Sequence, residues 1–172
     1  MFDTIFGLPT HTLVVHAVVV LLPLGALGSA AIAVYPPWRQ RFGLLVAAVT
    51  VAGVAAVPVA TRSGQHLLER KSALFGPGDD TEAGLMDKHS RLGEDLLPWA
   101  LLLLAGVLIV VAVTYAFRRN TAERPSWVRW VGLLGVAAVL VGAVLSTIMV
   151  VRIGHAGAKA AWYTTTHPTA QR

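Results

Sequence analysis

Four stretches of the chain are apolar for long enough to cross a lipid bilayer, and nothing else in the sequence restricts the fold as much. They cover about residues 11–35, 42–60, 96–117 and 128–151. A hydrocarbon core about 30 Å thick calls for roughly 20 apolar residues in a helix. Within it every backbone N–H and C=O must be satisfied by the protein, so only helices or a closed barrel can span, and stretches of this length are helices. The composition agrees: of 172 residues, 55% are apolar and 13% charged, and the mean hydropathy of +0.65 is far above that of a soluble domain. The fold class read from this is an all-α integral membrane protein, a four-helix up-down bundle. The absence of cysteine excludes structural disulfides, thiolate zinc sites and covalent c-type haem.

The connections refine this reading. Residues 1–10 carry only Asp3 as a charge and lack the pattern of a cleaved signal peptide, so the first span is expected to be retained. Pro36 and Pro37 stop the first helix, and residues 36–41 read as a loop with Trp38, Arg39 and Arg41 at a membrane interface. The second helix has no breaker through Lys71, and residues 75–80 form a turn in which Asp80 or Thr81 can cap the third helix. The second and third helices are therefore expected to project from the membrane as a hairpin, with Pro98 placed to kink the third where it re-enters. The fourth helix begins near Val128 and continues past Gly157 toward Tyr163. Residues 1–163 read as one membrane domain and 164–172, including His167, as a flexible tail. Gly25, Gly28 and Ser29, and an Ala48, Ala52, Ala56 stripe, are the small residues expected to pack between helices.

Charge sets the orientation. The two short connections hold Arg39, Arg41, Arg118, Arg119, Arg124 and Arg129 against Glu123, whereas residues 62–95 hold five basic and seven acidic side chains. The positive-inside rule then places both termini and the long hairpin outside the cytoplasm. The formal charge of +5 is scattered among apolar spans rather than gathered in a patch, which argues against a nucleic-acid partner.

Against this background the histidines stand out. Counted from the arginine-rich helix ends at 1.5 Å per residue, His11 and His66 lie at about 36 Å, His89 and His155 at about 42 Å, and His16 at about 28 Å. Each helix thus brings a histidine to nearly one level near the outer face. His11 and His16 are five residues apart, about 140° around a helix, so they cannot serve one narrow site together. Arg62, His66 and Glu69 share one face of the second helix, and Arg152, His155, Lys159 and Trp162 one face of the fourth. Glu94 and Asp95 reach the same level from the third. Gly154 and Gly157 beside His155 would admit a flat ring. Residues 62–66 and 152–155 are also alike, Arg-Ser-Gly-Gln-His against Arg-Ile-Gly-His, which hints at two repeated hairpins. The plainer reading is that Arg62 and Arg152 snorkel to the interface and pair with Glu94 or Asp95, with the histidines as hydrogen-bonded packing elements.

The segment from Gly7 to His16, Gly-Leu-Pro-Thr-His-Thr-Leu-Val-Val-His, taken with His66, His89 and the run Arg152, Gly154, His155, Gly157, resembles the bacterial membrane family catalogued as domain of unknown function 2231. The resemblance runs from residue 5 to about 163. Thr12 stands where members often carry proline and Ala17 where they carry phenylalanine, which implies an actinobacterial-type branch. Some relatives are joined to Rieske-type iron–sulfur domains, so the resemblance implies electron transfer. Three functions compete. One is a b-type haem electron-transfer or respiratory-chain-associated protein, with cofactor-binding residues drawn from His11, His16, His66, His89, His155, Arg62 and Arg152, and a quinone, redox carrier or larger membrane complex as partner. Another is a metal site of His11, His66, His89, His155 and Glu94 holding a transition-metal ion. The third is an accessory or structural subunit that binds no cofactor. Phosphate-loop, Gly-x-Ser-x-Gly and His-Glu-x-x-His patterns are all missing, so the sequence shows no signature of nucleotide or proteolytic chemistry.

Overall fold

A computed structural model of the chain describes residues 4–5, 8–75, 80–118 and 125–166, with side chains placed for 10–69, 84–118 and 125–163. It contains a minimal antiparallel pair, β1 (Thr4–Ile5) and β2 (Leu8–Pro9), followed by four helices: α1 (Thr10–Val34), α2 (Pro36–Phe75), α3 (Asp80–Ala116) and α4 (Ser126–Thr166). All four are long and apolar enough to cross a membrane. Each packs against its two sequence neighbours, and α1 closes the ring against α4, while the α1–α3 diagonal is slight. This is the up-down bundle that short alternate connections favour.

Two boundaries differ from the sequence reading. Residues 36–41 are not a loop. Pro36 opens α2 directly after Tyr35, because proline is favoured in the first turn of a helix, where its missing N–H costs nothing. The break itself is held by Arg39, whose Nε donates to the carbonyl of Ile32 at 2.6 Å and whose Nη2 donates to that of Ala33. These are carbonyls of the last turn of α1, which have no partner within their own helix. At the other end of the chain α4 reaches Thr166, slightly beyond the expected start of a tail. The anticipated turn at Gly76–Gly78 and the final six residues, with His167, lie outside the described residues. α2 and α3 do run well past an 18-residue span, as expected, and Pro58 and Pro98 sit inside unbroken helices.

The core is formed by Leu22, Ala26, Ile32, Val54, Val57, Ala100, Leu103, Val107, Val110 and Val139 with their neighbours. Within each hairpin the approach is close. A Cβ on Gly53 would fall 3.0 Å from the backbone N of Leu22, one on Gly106 2.6 Å from that of Val139, and one on Gly142 2.5 Å from that of Leu103. Small residues substitute here for the hydrophobic drive that lipid cannot supply. Gly25 and Gly28 take this role against Thr50 and Val46, and buried Ser29 hydrogen-bonds Thr50 across the same seam at 3.2 Å. Ala48 and Ala52, by contrast, face outward, since Ala47, Thr50, Val54 and Val57 occupy the inner face of α2. Large apolar side chains such as Leu27, Leu44, Leu45, Leu134 and Val151 are exposed around the outside, the surface a bilayer would cover.

Candidate histidine pair at one end of the bundle

The histidine level lies at the end of the bundle opposite Arg39, and the structure divides its members sharply. His11 turns inward from the first turn of α1. Its Nδ1 lies 3.0 Å from the carbonyl of Ala60 and 3.3 Å from the hydroxyl of Ser63, both on α2. Its ring rests on Gly64, where a Cβ would come within 2.9 Å of the ring Cε1. His89 does the same in the second hairpin. Its Nδ1 lies 3.1 Å from the carbonyl of Ile153 on α4, and its ring rests on Gly157, where a Cβ would again come within 2.9 Å of Cε1.

In both hairpins the glycine stands one turn after the residue whose carbonyl is used, Gly64 after Ala60 and Gly157 after Ile153. The likeness of the two halves anticipated from the sequence is therefore present in a shifted register: Gly64 corresponds to Gly157, not to Gly154. Around Gly154 the space is open. The flat ring that Gly157 admits is that of His89, and His155 itself is exposed.

A carbonyl oxygen only accepts, so each Nδ1 must carry the proton. In a neutral imidazole this leaves the lone pair on Nε2, and the second ring nitrogen is the one available as a ligand. Among the described residues neither His11 nor His89 has a hydrogen-bond partner on Nε2. The two rings come from opposite hairpins at the same end of the bundle. Ligand histidines at metal and haem centres are usually fixed in this way, through Nδ1–H to a backbone carbonyl.

The other proposed site residues are not gathered with this pair. His16 is exposed, and its Nδ1 donates to the carbonyl of Thr12 in its own helix at 2.6 Å, the consequence of the 140° that separates it from His11. It does not line the interior as a deep cofactor ligand would. His66 is exposed beside Glu69, 3.6 Å away. Arg62, Arg152 and His155 lie away from the pair, on the outer faces of α2 and α4. Glu94 accepts a hydrogen bond from Gln65 at 3.1 Å, which ties α3 to α2 rather than adding a carboxylate to the histidines. Neither arginine makes an ion pair with Glu94 or Asp95 among the described residues. Among those residues no three of His, Asp and Glu come together as a group that could hold a metal ion. Sequence reasoning missed the acceptors Ala60 and Ile153 and the seat at Gly64. The available signal was Ser63-Gly64 on α2 at the height of His11.

Comparison with protein families agrees that the chain is a membrane protein. The model of the family described as Predicted membrane protein (DUF2231) matches residues 7–170. The chain belongs to that family. The match begins ahead of His11 and extends over all four helices, so both histidine seats fall inside it. No curated protein and no solved structure matches the chain.

Proposed function

We propose that this member of the family is a b-type haem protein of the bacterial plasma membrane, with His11 and His89 as the axial ligands and electron transfer as its role. The observation that carries the reading is the matched pair of inward histidines, each with Nδ1 committed to a backbone carbonyl and each with Nε2 left for a ligand. The donor set fits haem better than a bare ion. A porphyrin supplies four nitrogens and asks the protein for two axial ligands, whereas a structural or catalytic metal ion draws three or four from side chains. When bound, haem supplies one-electron redox chemistry.

The chain's own contribution is to hold two half-buried imidazoles in fixed tautomers on opposite hairpins. The Nδ1–H donation to Ala60 and Ile153 raises the basicity of each Nε2, which would favour the oxidised state of a bound haem. The excess of arginine in the two short connections supports an orientation, under the positive-inside rule, with the Arg39 end of the bundle in the cytoplasm, both termini outside and the histidine pair near the outer face. An electron partner at that level would be a quinone in the bilayer or a carrier at its surface.

Replacement of single histidines in protein produced with ample haem tests this. His11→Ala and His89→Ala are each expected to lose the bound haem, while His16→Ala, His66→Ala and His155→Ala keep it. If the unmodified protein is colourless, the two rings are interhelical staples and the protein is a structural subunit.

A further inference from the structure

The outer face of α4 carries a feature that the histidine pair does not use. Going along this face from the middle of the bundle, Val144, Ile148 and Val151 are exposed apolar residues, and then the chemistry changes within one residue to Arg152, His155 and Lys159, all exposed. Positions 152, 155 and 159 recur at helical spacing on the side of α4 opposite its buried residues Val139, Ala143, Val150, Ala156 and Ala160. Exposed Trp162 continues the same face, and Trp127 and Trp130 mark the far end of the helix.

Measured from Trp130 along an unbroken helix, Arg152 lies about 33 Å away and Lys159 about 44 Å. A bilayer has about 30 Å of hydrocarbon within about 40–45 Å of total thickness, so the basic run begins where the hydrocarbon ends. Side chains on a helix lean toward its N-terminus, which for this end of α4 is the direction of the membrane. Arg152 and Lys159 therefore lean back into the headgroup layer. Neither they nor His155 pair with a carboxylate among the described residues. Of the acids of α3, Asp87 pairs with Arg91 at 2.9 Å and Glu94 with Gln65, while Asp95 pairs with none of Arg152, His155 and Lys159.

We infer that this face binds the phosphate headgroup of an anionic phospholipid in the leaflet at the histidine end. The occupant is set by charge and depth together: two cations and an imidazole, without a carboxylate partner among the described residues, stand at headgroup height directly above a lipid-facing apolar strip. Neither the charge nor the depth depends on whether haem is bound.

The test is native mass spectrometry of the full-length protein in neutral detergent with dioleoylphosphatidylglycerol or dioleoylphosphatidylcholine added. The tightest adduct should be the anionic lipid. The Arg152→Gln/Lys159→Gln protein should bind it about thirtyfold more weakly, the value for two basic side chains near a headgroup layer. Arg152→Lys/Lys159→Arg, which keeps both charges, should retain it, and so should Arg41→Gln/Arg129→Gln at the opposite end. Equal retention of the two lipids, or an unchanged tightest adduct in the Arg152→Gln/Lys159→Gln protein, overturns the inference. So does a photo-crosslink from position 155 to a protein instead of a lipid in native membranes, which would give the face to a protein partner.

Discussion

Gly154 and Gly157 sit three residues apart on α4, yet only one of them has a neighbour. A methyl group on Gly154 meets nothing within 4 Å, whereas one on Gly157 would press on the His89 ring at 2.9 Å. Gly154→Ala is therefore expected to leave the protein as stable as before or raise its stability by up to about 1 kcal/mol, the helix-propensity gain of alanine over glycine. Gly157→Ala, and Gly64→Ala in the other hairpin, are expected to displace a ring and destabilise by about 1–3 kcal/mol. Unfolding of the three variants in mixed micelles distinguishes them, and equal stabilities for the Gly154 and Gly157 variants would mean that His89 does not occupy that seat. Which histidines turn inward was not legible in the sequence. The count along each helix gives height well, because 1.5 Å per residue is nearly constant. It gives facing poorly where the helix is apolar nearly all round, as the membrane-crossing part of α1 is, because no polar stripe there fixes the rotation. Only the 140° between His11 and His16 was available, and it does say that no more than one of that pair can enter the site.

Among the elements, the sequence marks where a helix breaks more reliably than which structure comes next. Pro36-Pro37 does end α1, but the same prolines begin α2, and Arg39, read as part of an interfacial loop, turns back to cap the preceding helix. Arg39→Met should then loosen the last turn of α1 and cost about 1–2 kcal/mol, the value of charge-assisted hydrogen bonds discounted for partial exposure. Arg41→Met, whose guanidinium lies over the Phe42 ring 5.3 Å away, should cost less. Unfolding measurements on both proteins check the order. The long helices carry a second expectation. Residues 61–69 of α2 follow its apolar stretch and residues 84–95 of α3 precede its own, and both segments are helical. Their amides should exchange slowly compared with an unfolded segment, and fast exchange throughout both would show that the histidine end is not built on continuous helices.

For the whole molecule, the apolar spans and short arginine-rich connections were enough to read a four-helix bundle, which the four long apolar helices bear out, and the family match over residues 7–170 agrees that it is a membrane protein. The interhelical seams were partly legible: Gly25, Gly28 and Ser29 do pack against α2, whereas the alanine stripe at 48 and 52 faces outward. Small residues signal a close approach only when they lie on the inner face, and in an all-apolar helix the sequence does not say which face that is. The proposed orientation predicts that a reporter fused after Arg172 is active when it is one that works outside the cytoplasm, and activity of a cytoplasm-only reporter would contradict it. The proposed function rests on His11 and His89 ligating one haem iron. Electron paramagnetic resonance of the oxidised, purified protein decides that point. Ligation by both rings predicts a low-spin ferric signal of bis-imidazole type, lost in both His11→Ala and His89→Ala. A high-spin signal, no haem at all, or a low-spin signal that survives either substitution would contradict it.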